Sequence, residues 1–254
     1  MIRLNELDII IMAGGLGKRM NSNMPKILHL LDDKPLLVHV LINANQLFPQ
    51  NIYLVVGKYK NVIKEVLTLY LNIDNVTFVE QEEPLGTGHA VQCVMPHLVN
   101  SKNKVLILSG DVPFLSTKTL NYLFIPSKGC IMSADLDNPT GYGRIVKEND
   151  RFVKIVEEKD CSESEKKIKT INTGVYSIDA NILCKYLPQL NNDNAQNEYY
   201  LTDLFAMINE DIEVIHLHES KNFEILGVNT KQQLKELEHF IECRRQNNDY
   251  AYCI

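Results

Sequence analysis

The 254-residue sequence lacks several features that mark particular classes of protein. No apolar run reaches the roughly eighteen residues of a membrane-spanning helix. The early run "DIIIMAGG" is too short for a signal peptide and ends in a glycine turn. The six cysteines form no Cys-x-x-Cys pair, which argues against a zinc site and is typical of reduced thiols. These absences predict a cytoplasmic protein that has no membrane partner.

Acidic residues are missing from one stretch near the N-terminus. The chain has a formal net charge of −6, yet no Asp or Glu occurs between Asp8 and Asp32, where Lys18, Arg19 and Lys26 lie. A broad basic surface, which nucleic-acid binding usually requires, is also absent. The local pattern therefore predicts a site for a small polyanion and no nucleic-acid partner.

The first half alternates short strands with helices. Strands are predicted at residues 8–12, 52–56, 76–79 and 105–108, and apolar stripes at helical spacing begin at Leu36, Ile63 and Ala90. Pro35 suits the first turn of the first helix. This alternation predicts an α/β fold with a mostly parallel sheet and helices on both faces. Ligands of such sheets bind beyond the carboxyl ends of the strands. The loops of interest follow Met12, Val79 and Leu108.

The second half has more β character. Residues 143–160 predict two strands joined by a turn at 148–151, and residues 171–178 and 211–218 predict further strands. A polar loop at 190–203 leads into a helix, and another helix begins at Thr230. His216 and His218 would share one face of the late strand. Because no third ligand is near them in the sequence, a surface or core role is favoured over metal binding.

The glycine-rich loop after the first strand fits neither of two common phosphate-binding patterns. In "MAGGLGKRM", a P-loop would need Ser or Thr after Lys18 and glycine at Met12. The dinucleotide pattern would need glycine at Met20. The glycines still let a backbone approach phosphates and offer N–H donors, while Lys18, Arg19 and Lys26 neutralise charge. The alternative is a tight turn with incidental surface cations.

Motifs along the chain carry a family resemblance. They are "MAGGLGKRM", "EQEEPLGTGHA", "GDVPF", "DNPTGYGRIV", "IVEEKD", "INTGVY", "NAQNEYYLTD" and "GVN". In this order the sequence resembles the sugar-1-phosphate nucleotidylyltransferases. It resembles more closely the uridyltransferase domain of the bifunctional N-acetylglucosamine-1-phosphate uridyltransferase/glucosamine-1-phosphate acetyltransferases, from about residue 7 to about 240. Gly14 replaces the usual alanine, and Lys18 replaces a frequent threonine.

The resemblance implies a fold, a reaction and a cofactor. The fold is Rossmann-like, in one nucleotidyltransferase domain over 1–254, with a nucleotide-binding half at 1–125, a β-rich sugar-binding half at 126–229, and a C-terminal helix and tail at 230–254. The reaction transfers the uridylyl group from UTP to N-acetylglucosamine 1-phosphate and releases pyrophosphate. The cofactor is Mg²⁺. No general base is needed, because the attacking phosphate is already ionised.

The resemblance also assigns site residues. Arg19, Lys26 and Asp111 are catalytic, and Asp111 and Asn229 hold the metal. UTP is bound by Met12, Ala13, Gly14, Gly15, Lys26, Gln81, Gly86 and Thr87. The sugar is bound by Gly143, Glu157, Asn172, Tyr200 and Thr202.

Elementary chemistry agrees with two of these assignments. Asp111 follows a predicted strand, and a carboxylate beside a triphosphate needs an intervening cation. The Gln81 amide offers a donor and an acceptor side by side, which suits the edge of uracil. The alternatives are a helix N-cap for Asp111, an ordinary loop residue for Gln81, and hydrophobic packing for Tyr199.

Two competing functions remain open from the sequence. One is a related enzyme that uses glucose 1-phosphate with UTP or dTTP. The other is an inactive nucleotide-sugar sensor, which would be expected to have lost Arg19, Lys26, Asp111 or Asn229; all four are present. The tail after Asn229 shows no hexapeptide period, so we expect no acetyltransferase activity and a monomer or homodimer.

Overall fold

The structure is a computed structural model, and it describes residues 6–15, 17, 20, 22, 24–208 and 211–246, without the side chain of Arg244. The predictions for Lys18 and Arg19 lie outside the described residues. In chain order, the strands are β1 (Leu7–Met12), β2 (Leu30–Leu31), β3 (Lys34–Pro35), β4 (Asn51–Val56), β5 (Val76–Glu80), β6 (Lys104–Ser109), β7 (Gly129–Asp135), β8 (Arg144–Glu148), β9 (Arg151–Val156), β10 (Thr170–Asp179) and β11 (Ile212–His216). The helices are α1 (Leu36–Asn45), α2 (Lys60–Thr68), α3 (Thr87–Gln92), α4 (Met95–Leu98), α5 (Thr117–Leu120), α6 (Ala180–Tyr186), α7 (Leu201–Ile208) and α8 (Lys231–Gln246).

A nine-stranded sheet is the centre of the described part of the chain. Seven of its strands run in the order β11-β7-β10-β6-β1-β4-β5, and the β8–β9 hairpin joins β10 at the side. The pairs β6–β1, β1–β4, β4–β5 and β11–β7 are parallel, whereas β10 is antiparallel to β6 and β7. The carboxyl ends of β1, β5 and β6 and the amino end of β10 therefore meet at one edge of the sheet.

Both faces of the sheet are buried, as predicted. Alternate residues of β1 point to opposite sides: Ile9 and Ile11 join a core with α1 and α2, and Ile10 joins a core with α3, α4, α6 and α7. All three isoleucines have no solvent exposure. Continuous apolar strands such as "LDIIIM" are what a sheet covered on both faces requires.

The C-terminal helix packs on a third cluster beside the site. Leu237 of α8 joins Met20, Leu31, Phe114 and Phe223 in this cluster. The end of α8 is also tied down, because the Arg245 guanidinium donates to both Asp32 carboxylate oxygens at 2.6 and 2.7 Å. The residues that follow the last sheet strand are thus held close to the glycine loop.

Several predicted elements are confirmed and a few boundaries differ. The β8–β9 turn lies within the predicted residues, with positive φ at Asn149 and Asp150. Pro35 is extended (φ −53°, ψ 144°) and precedes α1 instead of lying in its first turn. β11 ends at His216, so the prediction that His218 shares its face is wrong; His218 instead accepts a hydrogen bond from the Ser220 N–H. β7 and α6 were not predicted. Among the described residues, no helix has the length and apolar character needed to span a bilayer.

Candidate active site

Two adjoining pockets open at the sheet edge where the parallel strands end. The "loop pocket", of about 530 Å³, lies between the glycine loop after β1 and the segment after β5. The "hairpin pocket", of about 250 Å³, lies between the end of β6, the amino end of β10 and the residues flanking the β8–β9 hairpin. Met12, Thr87, Ser109 and Asp111 line both pockets. Two ligands bound side by side would therefore meet at Asp111.

The glycine loop folds tightly over Lys26. Gly17 has a φ of +59°, and a Cβ there would lie 2.6 Å from the Lys26 Cβ. A Cβ on Gly14 would lie 3.0 Å from the Gln81 side-chain oxygen, whereas one on Gly15 would meet no described residue within 4 Å. Glycine is thus required at position 17 by the approach of Lys26, and Gly15 leaves its backbone open to the pocket.

Lys26 lies between the two predicted metal ligands. Its ammonium forms a short ion pair with Asp111 Oδ2 and donates to Asn229 Oδ1 at 2.8 Å. The Lys26 and Asp111 side chains are only 13% and 12% exposed. Because the two oxygens converge on one point already held by an ammonium group, that point is a cation position.

Backbone contacts hold the two oxygen-bearing residues together. The Val228 N–H donates to the Asp111 carbonyl at 3.0 Å, which brings the "GVN" segment against the end of β6. Ser109 donates through Oγ to Asp111 Oδ1 at 2.5 Å. Both carboxylate oxygens of Asp111 are therefore held, Oδ1 by the Ser109 hydroxyl and Oδ2 by the Lys26 ammonium.

A helix cap orients Asn229. Thr230 and Gln233 form a capping box at the start of α8: the Gln233 N–H donates to Thr230 Oγ1 at 3.2 Å, and the Thr230 N–H donates to Gln233 Oε1 at 3.1 Å. The same Gln233 oxygen accepts the Asn229 N–H at 2.8 Å. Gln233 thus fixes the backbone of Asn229.

Gln81 is buried at the back of the loop pocket, with 7% exposure. Its backbone N–H donates to the Val56 carbonyl at 2.8 Å, and its side-chain nitrogen donates to the Gly86 carbonyl at 3.0 Å. These bonds fix the amide plane, with the oxygen facing Gly14. The side chain therefore has one orientation relative to the pocket, as base recognition requires.

Two distant motifs dock at Gly86. This residue has a φ of +110°, and a Cβ there would lie 2.6 Å from the Tyr199 carbonyl oxygen. The Gly88 N–H donates to the same carbonyl at 2.7 Å, and the Leu201 N–H donates to Thr87 Oγ1 at 3.1 Å. The contacts join the "LGTGHA" and "EYYLTD" motifs, and with them the two pockets.

Polar groups from the second half line the hairpin pocket. Thr202 Oγ1 donates to Glu157 Oε1 at 2.9 Å, and the Asn172 N–H donates to the Gly143 carbonyl at 2.8 Å. A bulge in β10 follows Asn172, with Gly174 at a φ of +76°. Bulges re-aim side chains at sheet edges, and here the bulge lies beside the pocket.

Burial makes the Glu157 carboxyl harder to ionise. Its pKa is raised above the ordinary value of 4.5, first by burial and also by the nearby carboxylates of Asp203, Asp160 and Glu198, against the lowering effect of the Thr202 hydrogen bond. The pKa of Tyr176 is raised as well, by burial and then by the Glu157 charge. The Glu157 end of the hairpin pocket is therefore better suited to ligand groups that donate hydrogen bonds than to anionic ligand groups.

The side chains of two predicted sugar-binding residues, Tyr200 and Asn172, form hydrogen bonds with groups outside the predicted sugar-binding set. Tyr200 donates to Asp160 Oδ2 at 3.1 Å, and its pKa is raised to about 12, mainly by burial. As the described residues outline the pockets, Tyr200 lines neither. The Asn172 amide donates to the Tyr176 hydroxyl at 2.6 Å and accepts the Gly174 N–H at 3.2 Å. One Asn172 N–H is left for a ligand.

The other predicted residues gather around the two pockets. The loop pocket is lined by Met12, Ala13, Gly14, Gly15, Lys26, Gln81, Gly86 and Thr87. The hairpin pocket is lined by Asp111, Gly143, Glu157, Asn172, Thr202 and Asn229. Their roles toward ligands stay predictions, and Arg19 lies outside the described residues.

Some lining residues were missed from the sequence. They include Ser109, Tyr142, Thr173, Tyr176 and Glu198. Ser109 could have been found, because it directly follows a predicted strand and precedes Gly110 and Asp111. Tyr176 could not, because a tyrosine in an apolar strand is more often core.

The donor set at Asp111 and Asn229 fits a hard divalent cation. Mg²⁺ is usually held by one or two protein oxygens together with phosphate oxygens and water. Asp111 and Asn229 supply two such oxygens at one point. No group of three or more His, Cys, Asp or Glu suited to a metal occurs in the described residues. Any metal here would therefore rely on the substrate for its remaining ligands.

Comparison with known proteins defines the class. Residues 9–132 match the family described as the MobA-like NTP transferase domain. A solved UDP-glucose pyrophosphorylase complexed with UDP-glucose shares the fold, with a TM-score of 0.74 at 16% identity over 94% of this chain and 99% of that one. A putative glucose-1-phosphate thymidylyltransferase from Bacillus anthracis gives 0.71 at 16% identity, over 92% and 94%. The chain has the fold of a nucleotidyltransferase.

Sequence relatives define the family. A probable UDP-N-acetylglucosamine pyrophosphorylase of Acanthamoeba polyphaga mimivirus is 42% identical over 244 residues, which are 92% of this chain and 96% of that relative. The bifunctional protein GlmU of Saccharophagus degradans is 44% identical over 240 residues, 93% of this chain but 52% of that protein. The chain thus spans about half the length of the bifunctional relative. It belongs to the UDP-N-acetylglucosamine pyrophosphorylase family of nucleotidyltransferases.

Proposed function

We propose that the protein transfers the uridylyl group of UTP to N-acetylglucosamine 1-phosphate, forming UDP-N-acetylglucosamine and pyrophosphate. The observation that carries the proposal is the pair of pockets that share Asp111, with the Lys26 ammonium beside it. A reaction between two phosphate-bearing substrates needs such a meeting point. The full-length similarity to the mimiviral relative supplies the substrate class.

UTP belongs in the loop pocket. The backbone of Gly14 and Gly15 can approach the nucleotide closely, and Lys26 lies at the pocket floor. The Gln81 side-chain nitrogen lies within hydrogen-bond distance of the Gly86 carbonyl and of His89 Nδ1. Its fixed oxygen, which faces Gly14, is therefore the group that suits the N–H donor of uracil. The triphosphate then extends toward Asp111.

N-acetylglucosamine 1-phosphate belongs in the hairpin pocket. Its neutral hydroxyl and acetamide groups suit Glu157, Thr202 and the remaining Asn172 N–H. Its phosphate then points toward the shared residues. The carboxylate-rich surroundings of Glu157 oppose a phosphate at the far end of the pocket and so favour this orientation.

The chemistry is an exchange at the α-phosphorus. An oxygen of the sugar phosphate forms a bond to this atom, and the bond to the bridging oxygen of the β-phosphate breaks, so pyrophosphate leaves with the electron pair. No proton moves. The protein's task is to orient the substrates and neutralise charge, and Lys26 supplies a cation for this purpose.

Mg²⁺ would be held by Asp111 and Asn229 in place of the Lys26 ammonium, which would then turn to the phosphates. When bound, it supplies positive charge to the phosphates, which Asp111 would otherwise repel. Ser109 and Gln233 hold these two ligand residues in place. We also propose that the protein acts in the cytoplasm as a monomer or homodimer; light scattering tests the assembly.

Pyrophosphate release tests the proposal. The purified protein is assayed with UTP, dTTP, ATP and GTP, each against the 1-phosphates of N-acetylglucosamine, glucosamine, glucose and galactose, with Mg²⁺ or EDTA. We expect the highest kcat/KM for UTP with N-acetylglucosamine 1-phosphate, and no turnover in EDTA. A higher kcat/KM for glucose 1-phosphate would show that glucose 1-phosphate is the acceptor. If no pair of substrates released pyrophosphate, the inactive nucleotide-sugar sensor would be favoured.

A further inference from the structure

Arg144 is a buried cation that the reaction described above does not use. It is the largest fully buried side chain of the described residues, with 1% exposure. Burying a charge is costly unless it is well paired. Its Nε–H has no hydrogen-bond partner in the described part of the chain, so its burial is incompletely compensated. Stability alone therefore does not explain why an arginine occupies this position.

The guanidinium and one carboxylate hold a short backbone segment. Arg144 donates through Nη1 to the Tyr142 carbonyl and through Nη2 to Glu158 Oε2 at 2.7 Å. The same Glu158 oxygen accepts the Gly141 N–H at 3.1 Å. Residues 141 and 142 are thus each tied to one ion pair. Burial tends to raise the Glu158 pKa, but the Arg144 and Gly141 hydrogen bonds lower it overall, so the carboxyl is ionised.

The tied segment is a wall of the hairpin pocket. Gly141, Tyr142 and Gly143 all line it. A Cβ on Gly143 would lie 3.6 Å from Glu157 Oε2 and 3.5 Å from the Asn172 Cβ. Gly141 has a φ of +88°, and a Cβ there would meet no described residue within 4 Å, whereas Tyr142 packs against the core and the Gly143 carbonyl accepts the Asn172 N–H. The Gly141 end of the segment therefore relies on the ion pair more than the Gly143 end does.

We propose that Arg144 and Glu158 are a positioning pair that holds residues 141–143 against the sugar phosphate. The pair touches no substrate: Glu157 faces the pocket and its neighbour Glu158 faces Arg144. The identity of the acceptor rests on the proposed function; the bracing of the segment does not.

Steady-state kinetics with a matched control test the acceptor side. Glu158→Gln removes the negative charge but keeps the side-chain shape. Arg144→Lys keeps the positive charge but removes the planar guanidinium, whose two Nη atoms donate to separate acceptors. Glu165→Gln is the control, because this carboxylate also accepts from a backbone N–H and pairs with a cation, Lys154, away from the pockets.

The expected result is a split between the two substrates. Loss of one charged hydrogen bond predicts about a tenfold rise in KM for N-acetylglucosamine 1-phosphate in Glu158→Gln, with KM for UTP unchanged. The effects of Arg144→Lys and Glu158→Gln should be less than multiplicative when combined, because they break one unit. Equal rises in both KM values with a lowered Tm would mean that the pair is purely structural. The same conclusion would follow if Glu165→Gln also raised KM for N-acetylglucosamine 1-phosphate and left KM for UTP unchanged.

A fluorescence reporter tests the bracing without catalysis. The chain contains no tryptophan, so Tyr142→Trp places a single tryptophan on the segment, which can be excited selectively over the tyrosines. Added to this background, Glu158→Gln should increase acrylamide quenching, and Glu165→Gln should not. Unchanged quenching would overturn the positioning pair even in an active enzyme. Increased quenching in an enzyme inactive toward every sugar phosphate would uphold the pair and refute only the proposed function.

Discussion

Replacement of Gly86 by alanine should disrupt the contact that joins the loop pocket to the hairpin pocket. Gly86 combines a φ of +110° with a ψ of 175°, a backbone region that is essentially restricted to glycine. The new Cβ would lie 2.6 Å from the Tyr199 carbonyl oxygen and 2.9 Å from the Tyr199 nitrogen. Both neighbours are backbone atoms, so neither can rotate away, and the segment that leads into α7 must move.

The cost has two parts. Backbone strain at such a position is about 1–3 kcal/mol. Moving the Tyr199 segment also weakens the hydrogen bonds from Gly88 N–H to the Tyr199 carbonyl (2.7 Å) and from Tyr199 N–H to the Leu85 carbonyl (2.8 Å), each worth about 1 kcal/mol. The sum is roughly 3–5 kcal/mol, and 3 kcal/mol alone lowers Tm by roughly 6–12 °C in a domain of this size.

Thermal and urea unfolding measure this loss, with Gly15→Ala as the control. Gly15 lines the same pocket, but a Cβ there meets none of the described residues within 4 Å, so the free energy of unfolding of Gly15→Ala should stay within about 0.5 kcal/mol of the wild type. Calorimetric titration then checks whether UTP affinity falls for Gly86→Ala. A Gly86→Ala protein as stable as the wild type would refute the claim that this contact joins the halves.

Four further predictions concern the charged and polar groups of the site. Asp111→Asn should abolish most pyrophosphate release and weaken Mn²⁺ binding measured by electron paramagnetic resonance; full activity would exclude the metal assignment. Lys26→Ala should lower kcat more than it raises KM for UTP, because its charge acts on the reacting phosphates; a change in KM alone would make it a binding residue. Because the Glu157 pKa is raised by burial, folding favours its protonated form, so its contribution to stability is lost as pH rises from 4.5 through the folded pKa. Glu157→Gln should therefore raise Tm at neutral pH but not at about pH 4. It should also raise KM for the sugar phosphate. Curves of Tm against pH that run parallel for the variant and the wild type would contradict the cost of the buried charge. Gln233→Ala should weaken Mn²⁺ binding about tenfold, the usual effect of losing a group that supports a metal ligand, whereas Gln232→Ala, on the exposed side of the same helix turn, should not.

Local patterns were enough to locate the loop pocket, whereas the residues of the hairpin pocket followed only from the family resemblance. The runs around β1, β4 and β6 are apolar and short, and alternate with helical stripes, so a parallel sheet and its ligand-binding edge follow from burial on both faces. Asp111 and Lys26 were found because charge is conspicuous beside an apolar strand or in a stretch without acid. Even the Thr230–Gln233 capping box is a readable signal, since its spacing is fixed by helix geometry.

Contacts across the chain were beyond those patterns. β7 lies between β10 and β11, and its place in the sheet depends on partners about 40 and 80 residues away. The hydrogen bond from Asn172 to the Tyr176 hydroxyl and the burial of Arg144 against Glu158 likewise depend on which groups the fold brings within hydrogen-bond distance. A sequence shows that a polar residue is present but not whether a ligand or the protein itself satisfies it.

The sequence by itself determined the layered α/β architecture, the edge of the sheet where ligands bind and the chemical types of the residues there, because burial periodicity and strand polarity are local properties. Only the tertiary structure decided that two pockets meet at Asp111, that the Lys26 ammonium contacts Asn229, and that position 86 must be glycine because the Tyr199 backbone packs against it. These depend on distances between segments up to 203 residues apart, which are set when the whole core packs.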